Sequence, residues 1–249
     1  MTLLRVEDLS KSFGGLGVLG DVDITIEPGE RVALIGPNGA GKTTLLNVIG
    51  GQLPASSGDV WFDEHRITRL PPNRRLHLGL GRSYQINNLF FSLPLLDNVL
   101  LALYGREHSH FGMFGTLMER HNLLAEAQAL LETVGLWQKR FHALDSLSYG
   151  DQRLVELLCA FTSKPKLVLL DEPSAGLPTA EAAAFADVIR GLSDEAAVFF
   201  CAHDMDLVFN LADRILVLYF GEIIASGKPE EISADPKVRE IYLGADDTC

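Results

Sequence analysis

The stretch Gly36-Pro37-Asn38-Gly39-Ala40-Gly41-Lys42-Thr43 limits the folds open to this chain more than any other. It fits the pattern G-x-x-x-x-G-K-[ST], whose glycines let the backbone wrap around phosphate and turn successive N–H groups inward. Lys42 brings a full positive charge to the β- and γ-phosphates, and Thr43 offers a hydroxyl to Mg2+. Thr44 follows as a further cofactor-binding position. Such a loop works between a buried strand and a helix N-terminus, where unpaired N–H groups and the positive dipole end favour anions. Both flanks comply: Arg31–Ile35 is a short apolar run, and the residues from Lys42 to Ile49 read as a helix. The loop alone implies a nucleotide binder, a class that includes kinases and GTPases.

The second constraint is Leu167-Val168-Leu169-Leu170-Asp171-Glu172-Pro173, four apolar residues ending in two carboxylates. A buried strand of an open α/β sheet delivers such acids into the ligand crevice at its C-terminal edge. There Asp171 would hold Mg2+, directly or through water, and Glu172 would polarise an attacking water as general base. No N-K-x-D guanine-reading motif follows, so GTP specificity is unsupported. Beyond this strand, a helix over Thr179–Leu192, a strand over Ala196–Ala202 and a helix over Met205–Leu211 are expected. Ile215–Tyr219 and Glu222–Ala225 flank Phe220-Gly221 as a hairpin. Towards the N-terminus, Val22–Ile26 alternates as a half-buried strand, and Asp59–Asp63 is another. From about Asn87 to Leu147 the pattern becomes helical. Leu123, Leu124, Ala127, Leu130, Leu131 and Val134 form one stripe at 3.6-residue spacing. The alternation implies an α/β core with a mostly parallel sheet, interrupted by an inserted helical lobe.

Composition removes several other classes. The 249 residues carry 33 acids against 21 Lys and Arg, a net charge of −12. That balance argues against a nucleic-acid binder with a broad basic face, and against direct docking on anionic lipid. The three cysteines fit neither a disulfide framework nor a zinc site. His108, His110 and His121 stand in an irregular segment with few acids nearby, so no metal site is expected there. The opening residues have no secretory h-region, and no apolar run nears the ~20 residues a membrane-spanning helix needs. The protein is therefore expected in the cytoplasm, with any membrane role arising through a partner.

Leu147-Ser148-Tyr149-Gly150-Asp151-Gln152 precedes the acidic strand. Together with the phosphate loop and the acidic pair, it resembles the signature LSGGQ of ABC-type ATPase subunits. Ser148 and Gly150 match; Tyr149 and Asp151 depart. Ser148-x-x-Asp151 also reads as a helix capping box, compatible with phosphate contact because a capped N-terminus is itself an anion site. Asp151 would repel a γ-phosphate and is expected to face the helix backbone. The resemblance implies that Gln85 meets Mg2+ or water, that His203 contacts the γ-phosphate, and that Phe13 stacks on adenine. Ser174-Ala175-Gly176-Leu177 resembles the D-loop but lacks its usual aspartate, since Pro178 follows.

The family implies one ATPase domain over 1–249. Its core spans about 1–86 and 165–249, with N-terminal antiparallel strands, and its helical subdomain about 87–164. It implies ATP and Mg2+ as ligands, and two ATPase subunits, identical or paralogous, closing head to tail around two ATP molecules. Each site would join Lys42, Thr43, Gln85, Asp171, Glu172 and His203 of one subunit to Ser148 and Gly150 of the other. Integral-membrane permease subunits would dock in the groove beside Gln85, holding the protein at the inner face of the membrane. Tyr149 with Asp151, Gly176-Leu177-Pro178, His203-Asp204-Met205-Asp206 and Ile241-Tyr242-Leu243-Gly244 resemble ATPase subunits of branched-chain amino-acid importers. Urea and amide importers share much of this pattern, and a soluble ABC ATPase outside transport is a further alternative.

Overall fold

The computed structural model describes residues 1–82, 89–107, 117–193 and 196–244. The chain starts with two long strands, β1 (Leu4–Phe13) and β2 (Leu16–Ile26). Strand β3 (Arg31–Ile35) leads into helix α1 (Lys42–Gly50), followed by β4 (Ser57–Phe62), β5 (His65–Arg66), α2 (Pro72–Leu78) and β6 (Leu80–Arg82). A helical section follows: α3 (Leu95–Glu107), α4 (Leu117–Thr133) and α5 (Tyr149–Phe161). Then come β7 (Leu167–Asp171), α6 (Thr179–Leu192), β8 (Ala197–Cys201) and α7 (Met205–Leu211). The hairpin β9 (Arg214–Tyr219) and β10 (Glu222–Gly227) precedes two short helices, α8 (Pro229–Ala234) and α9 (Pro236–Gly244).

The strands form two sheets. An antiparallel sheet has the order β2-β1-β4-β5, and a six-stranded sheet the order β10-β9-β3-β8-β7-β6. In the larger sheet every pairing is parallel except the β9–β10 hairpin. This is the expected α/β class, with a mostly parallel sheet, N-terminal antiparallel strands and a helical section between β6 and β7. Residues of β8 show why its apolar run is continuous. Phe199 packs between the two sheets with Leu45, Ile49 and Phe62, while Phe200 packs on the other face with Phe185, Ile189 and Val208. Both faces are covered, so alternation with polar residues is absent.

A third core holds Leu95, Val99 and Leu103 of α3 with Leu123, Ala127 and Leu131 of α4. Helix α5 joins it to the sheet: Val155 and Leu158 face the helices, Leu157 and Phe161 the sheet. The stripe expected over Asn122–Val134 is narrower than its spacing suggested, because Leu124 is 40% exposed. Helix α4 also starts earlier, at Leu117. His108 and His110 lie outside the described residues.

One buried cation has no motif to announce it. Arg75, 2% exposed, donates to the carbonyls of Val48 and Ile49 at 2.9 and 2.5 Å, closing the C-terminus of α1. It also reaches the Leu70 and Thr68 carbonyls at 2.8 and 3.0 Å. Burial lowers its pKa to about 10. Arg75→Met should strand these acceptors and lower stability by about 3 kcal/mol in urea unfolding. Phe220→Ala, at a position 82% exposed, should change it by less than about 0.5 kcal/mol.

Candidate active site

The phosphate loop leaves β3 at Ile35 and enters α1 at Lys42. Gly36 passes so close to β9 that an added Cβ would lie 2.1 Å from the Leu218 carbonyl oxygen. The Gly221 N–H donates to the Ala40 carbonyl at 3.0 Å, pinning the far side of the loop to the β9–β10 turn. Gly41, with φ of 108°, precedes α1 and supplies no side-chain cap. The first N–H groups of the helix are thus left for an anion. Lys42 is buried, and its Nζ donates to the carbonyls of Gly36 at 2.7 Å and Pro37 at 3.1 Å. Burial lowers the ammonium pKa, and the nearby carboxylates of Glu172 and Asp171 pull it upward. Asn38 and Gly39 are exposed at the tip.

The acids arrive on β7, separated from β3 in the sheet by β8. Asp171 ends β7, and its Oδ1 accepts from Thr43 Oγ1 at 3.4 Å. The Arg82 guanidinium, at the end of β6, stands 3.8 Å from Asp171 Oδ2. Burial raises the Asp171 pKa; Arg82 and Thr43 act in the opposite direction. The next residue leaves the sheet sharply. Glu172 adopts φ of 48°, and its N–H donates to the Cys201 carbonyl at 3.0 Å. Its Oε1 lies 3.1 Å from His203 Nε2, just beyond β8. Asp204 holds this end in place by accepting from the Asp206 and Leu207 N–H groups at the start of α7. The Thr43 hydroxyl and Asp171 carboxylate are hard oxygen donors next to a phosphate loop, a set that suits Mg2+. A cation there would offset the burial of the carboxylate.

The signature segment sits at the start of α5. Ser148 Oγ accepts from the Asp151 N–H at 3.2 Å, which is half of the expected capping box. The other half is replaced. The Asp151 carboxylate does not face the helix backbone but takes Lys139 Nζ at 2.6 Å. An ammonium within reach is a stronger partner than a neutral N–H. Gly150 is closely faced by Glu181, whose Oε2 would lie 2.6 Å from an added Cβ. Tyr149 turns back to its own chain and donates to the Ala175 carbonyl at 3.1 Å. Phe13 ends β1, is 47% exposed, and carries Lys11 Nζ 4.8 Å from its ring centroid. Gln85 lies outside the described residues, which resume at Leu89. The structure therefore gathers Lys42, Thr43, Asp171, Glu172 and His203. Arg82 was missed in the sequence, since in the segment Gly81–Gln85 only Gln85 matched a family position.

Comparison with known proteins places the whole chain beside a known family. A family model described as ABC transporter matches residues 19–175, and a branched-chain amino acid ATP-binding cassette transporter model matches residues 222–248. The high-affinity branched-chain amino acid transport ATP-binding protein LivG of Escherichia coli is 34% identical, over 97% of this chain and 98% of that protein. A probable LivG of Archaeoglobus fulgidus is 35% identical, covering 100% and 98%. Among solved structures, the ADP conformation of an ATP-binding cassette of an ABC transporter superposes with a TM-score of 0.86 at 31% identity, covering 98% of this chain and 99% of that one. A dimeric cassette in a post-hydrolysis state, bound to ADP and Pi, gives 0.77 at 25% identity, covering 91% and 99%.

The raised pKa of Asp171 makes a stability prediction. Below the ordinary carboxylate pKa the group is neutral in folded and unfolded chains alike and has no effect. As pH rises through the window up to the raised folded value, the unfolded chain loses this proton first and stability falls. Asp171→Asn should abolish that fall, so that the nucleotide-free variant is the more stable at pH 7 and equal to the parent near pH 3. Thermal melts across pH check this; a variant less stable than the parent at pH 7 contradicts it.

Proposed function

This chain belongs to the ABC transporter family of ATPases, and we propose that it is the subunit powering an importer of branched-chain amino acids. The observation that carries the catalytic reading is the meeting of Lys42, Thr43, Asp171, Glu172 and His203 at the ends of β3, β7 and β8. These strands are adjacent in the sheet. The choice of solute rests on the match of residues 222–248 to the branched-chain cassette model and on the LivG relatives.

In the proposed mechanism the loop N–H groups and Lys42 take the negative charge of the β- and γ-phosphates, and Phe13 offers its open face to adenine. Thr43 and Asp171, with Gln85, would hold Mg2+, which would neutralise charge on the phosphates when bound. Glu172 accepts a proton from water as the water oxygen bonds to the γ-phosphorus. The bond from that phosphorus to the β–γ bridging oxygen breaks, and ADP and phosphate are the products. His203, whose Nε2 stands 3.1 Å from Glu172 Oε1, orients that carboxylate and faces the γ-phosphate. The protein acts mainly through position and charge, as phosphoryl transfer requires.

A second subunit completes each site by bringing Ser148 and Gly150 of its α5 to the γ-phosphate, so that ATP binding favours the closed pair. The domain divides into a core of about 1–86 and 165–249 and a helical lobe of about 87–164. Between them runs a groove of about 970 Å³, lined by Gly50 and Gln52 from the core and Asn98, Arg106 and Glu156 from the lobe. Arg82 and Leu89, which bracket Gln85, also line it. A cytoplasmic helix of the permease would dock there and hold the subunit at the inner membrane face. Among the described residues, no helix of its own is long and apolar enough to cross a membrane.

Glu172→Gln should lower turnover by at least about a hundredfold while ATP still binds, measured by phosphate release and equilibrium binding of labelled ATP. Unchanged turnover would sink the reading. In that background, Asn38→Cys and Ser148→Cys should form a disulfide between chains when ATP is present and not without it. A link within one chain, or one indifferent to ATP, contradicts the shared site.

A further inference from the structure

We propose that Tyr149 is a positioning residue, the centre of a hydrogen-bonded relay running from the floor of the interlobe groove to the loop that carries Glu172. The inference rests on the ATPase reading above and adds to it a route by which the groove addresses the catalytic carboxylate.

The relay is built of hydrogen bonds joined at Ala175 through that residue's own backbone. Glu156, which lines the groove, accepts from Arg153 Nη1 at 2.8 Å. Arg153 Nε donates to the Tyr149 hydroxyl at 3.0 Å. That hydroxyl donates in turn to the Ala175 carbonyl at 3.1 Å, and the Ala175 N–H donates to the Glu172 carbonyl at 3.1 Å. A phenol offers one proton, and here it both gives and receives, so its orientation is determined from two sides. The ring is held as well. It lies against Gly176, where an added Cβ would be 3.0 Å from Tyr149 Cε1, and φ is 81°. The Arg153 guanidinium lies over the ring, 5.2 Å from its centroid. Arg153 and Glu156 are themselves buried, at 8% and 9% exposure, and burial pushes the Glu156 carboxyl pKa up.

Two features make this a linkage rather than a set of local contacts. Helix α5 carries Tyr149, Arg153 and Glu156 and packs into both the helical core and the sheet-covering core, so it joins the two physically. At the other end, Glu172 has φ of 48°, a conformation that persists only when its surroundings hold it. A glycine at position 149, as in the signature LSGGQ, cannot supply the central link.

The full-length chain, assayed for ATP hydrolysis, tests the relay. Tyr149→Phe keeps the ring on Gly176 and removes both hydroxyl bonds; Glu156→Leu breaks the groove end. Each should lower kcat by roughly tenfold with KM for ATP within about twofold, and the double variant should fall no further. Glu156→Gln, which still accepts from Arg153, should stay within about twofold of the parent kcat. Thermal melts check folding, and if Glu156→Leu does not fold, the kcat against KM split of Tyr149→Phe decides. A Tyr149→Phe kcat within about twofold of the parent, or two losses that multiply in the double variant, overturns the relay. Glu172→Gln is measured beside them. If it leaves turnover intact, the ATPase reading and the relay fall together. If it is inactive while Tyr149→Phe is unaffected, the relay alone falls.

Discussion

The site depends on the register of three parallel strands. Leu34 of β3 and Asp171 of β7 both pair with Cys201 of β8, so β7 and β8 end at one level and β3 one residue beyond it. Everything chemical leaves from that level: the phosphate loop after β3, Glu172 after β7, His203 after β8. A strand's side chains alternate between faces, so a slip of one residue would turn Asp171 away from Thr43 and place Leu170 there. Register is held by pairing on both sides, since β8 is hydrogen-bonded to β3 at one edge and to β7 at the other.

Burial makes the site electrostatically demanding. Lys42, Asp171 and Arg82 are brought together at low exposure, with Lys42 also held by the Gly36 and Pro37 carbonyls and Arg82 by the Leu46 carbonyl and Gln52. Burial works against the charged form of both Lys42 and Asp171. A triphosphate with its cation would compensate both, because it brings negative charge to the lysine and positive charge to the carboxylate. The fold thus holds a strained set of charges whose relief coincides with ligand binding, and part of its stability is given up to keep that set in place.

What was legible in the sequence follows the range of each interaction. Gly36 to Thr43 is a local pattern, and its strand, turn and helix are where the pattern put them. Thr179–Leu192 and Met205–Leu211 appear with the expected limits, since both carry clear periodicity and local end signals. Strand β6 was invisible: three residues, Leu80 to Arg82, hold no period, and only pairing with β7 makes them a strand. Arg75 on α1 and Lys139 on Asp151 were hidden for the same reason, since a partner distant in the chain leaves no spacing to read. Leu124 misled because a stripe of apolar residues shows which face can be buried, not how much of it the neighbours cover.

The two departures from LSGGQ are each answered by a contact elsewhere in the chain. An acid in the first turn of α5 favours the helix dipole but weakens the positive potential an incoming phosphate would meet. Lys139 lies 2.6 Å from that acid and restores the charge balance at the helix end. A tyrosine in place of glycine adds bulk at a point of close approach, and it is accommodated by folding back onto Ala175 and Gly176 of its own chain. The backbone at Ser148 and Gly150 is left to present the helix N-terminus. The substitutions therefore keep the Ser148 cap while tying the helix start to Ala175 by a bond that two glycines could not make. In the proposed dimer that bond would couple the half-site a subunit lends to its neighbour with the carboxylate it uses itself.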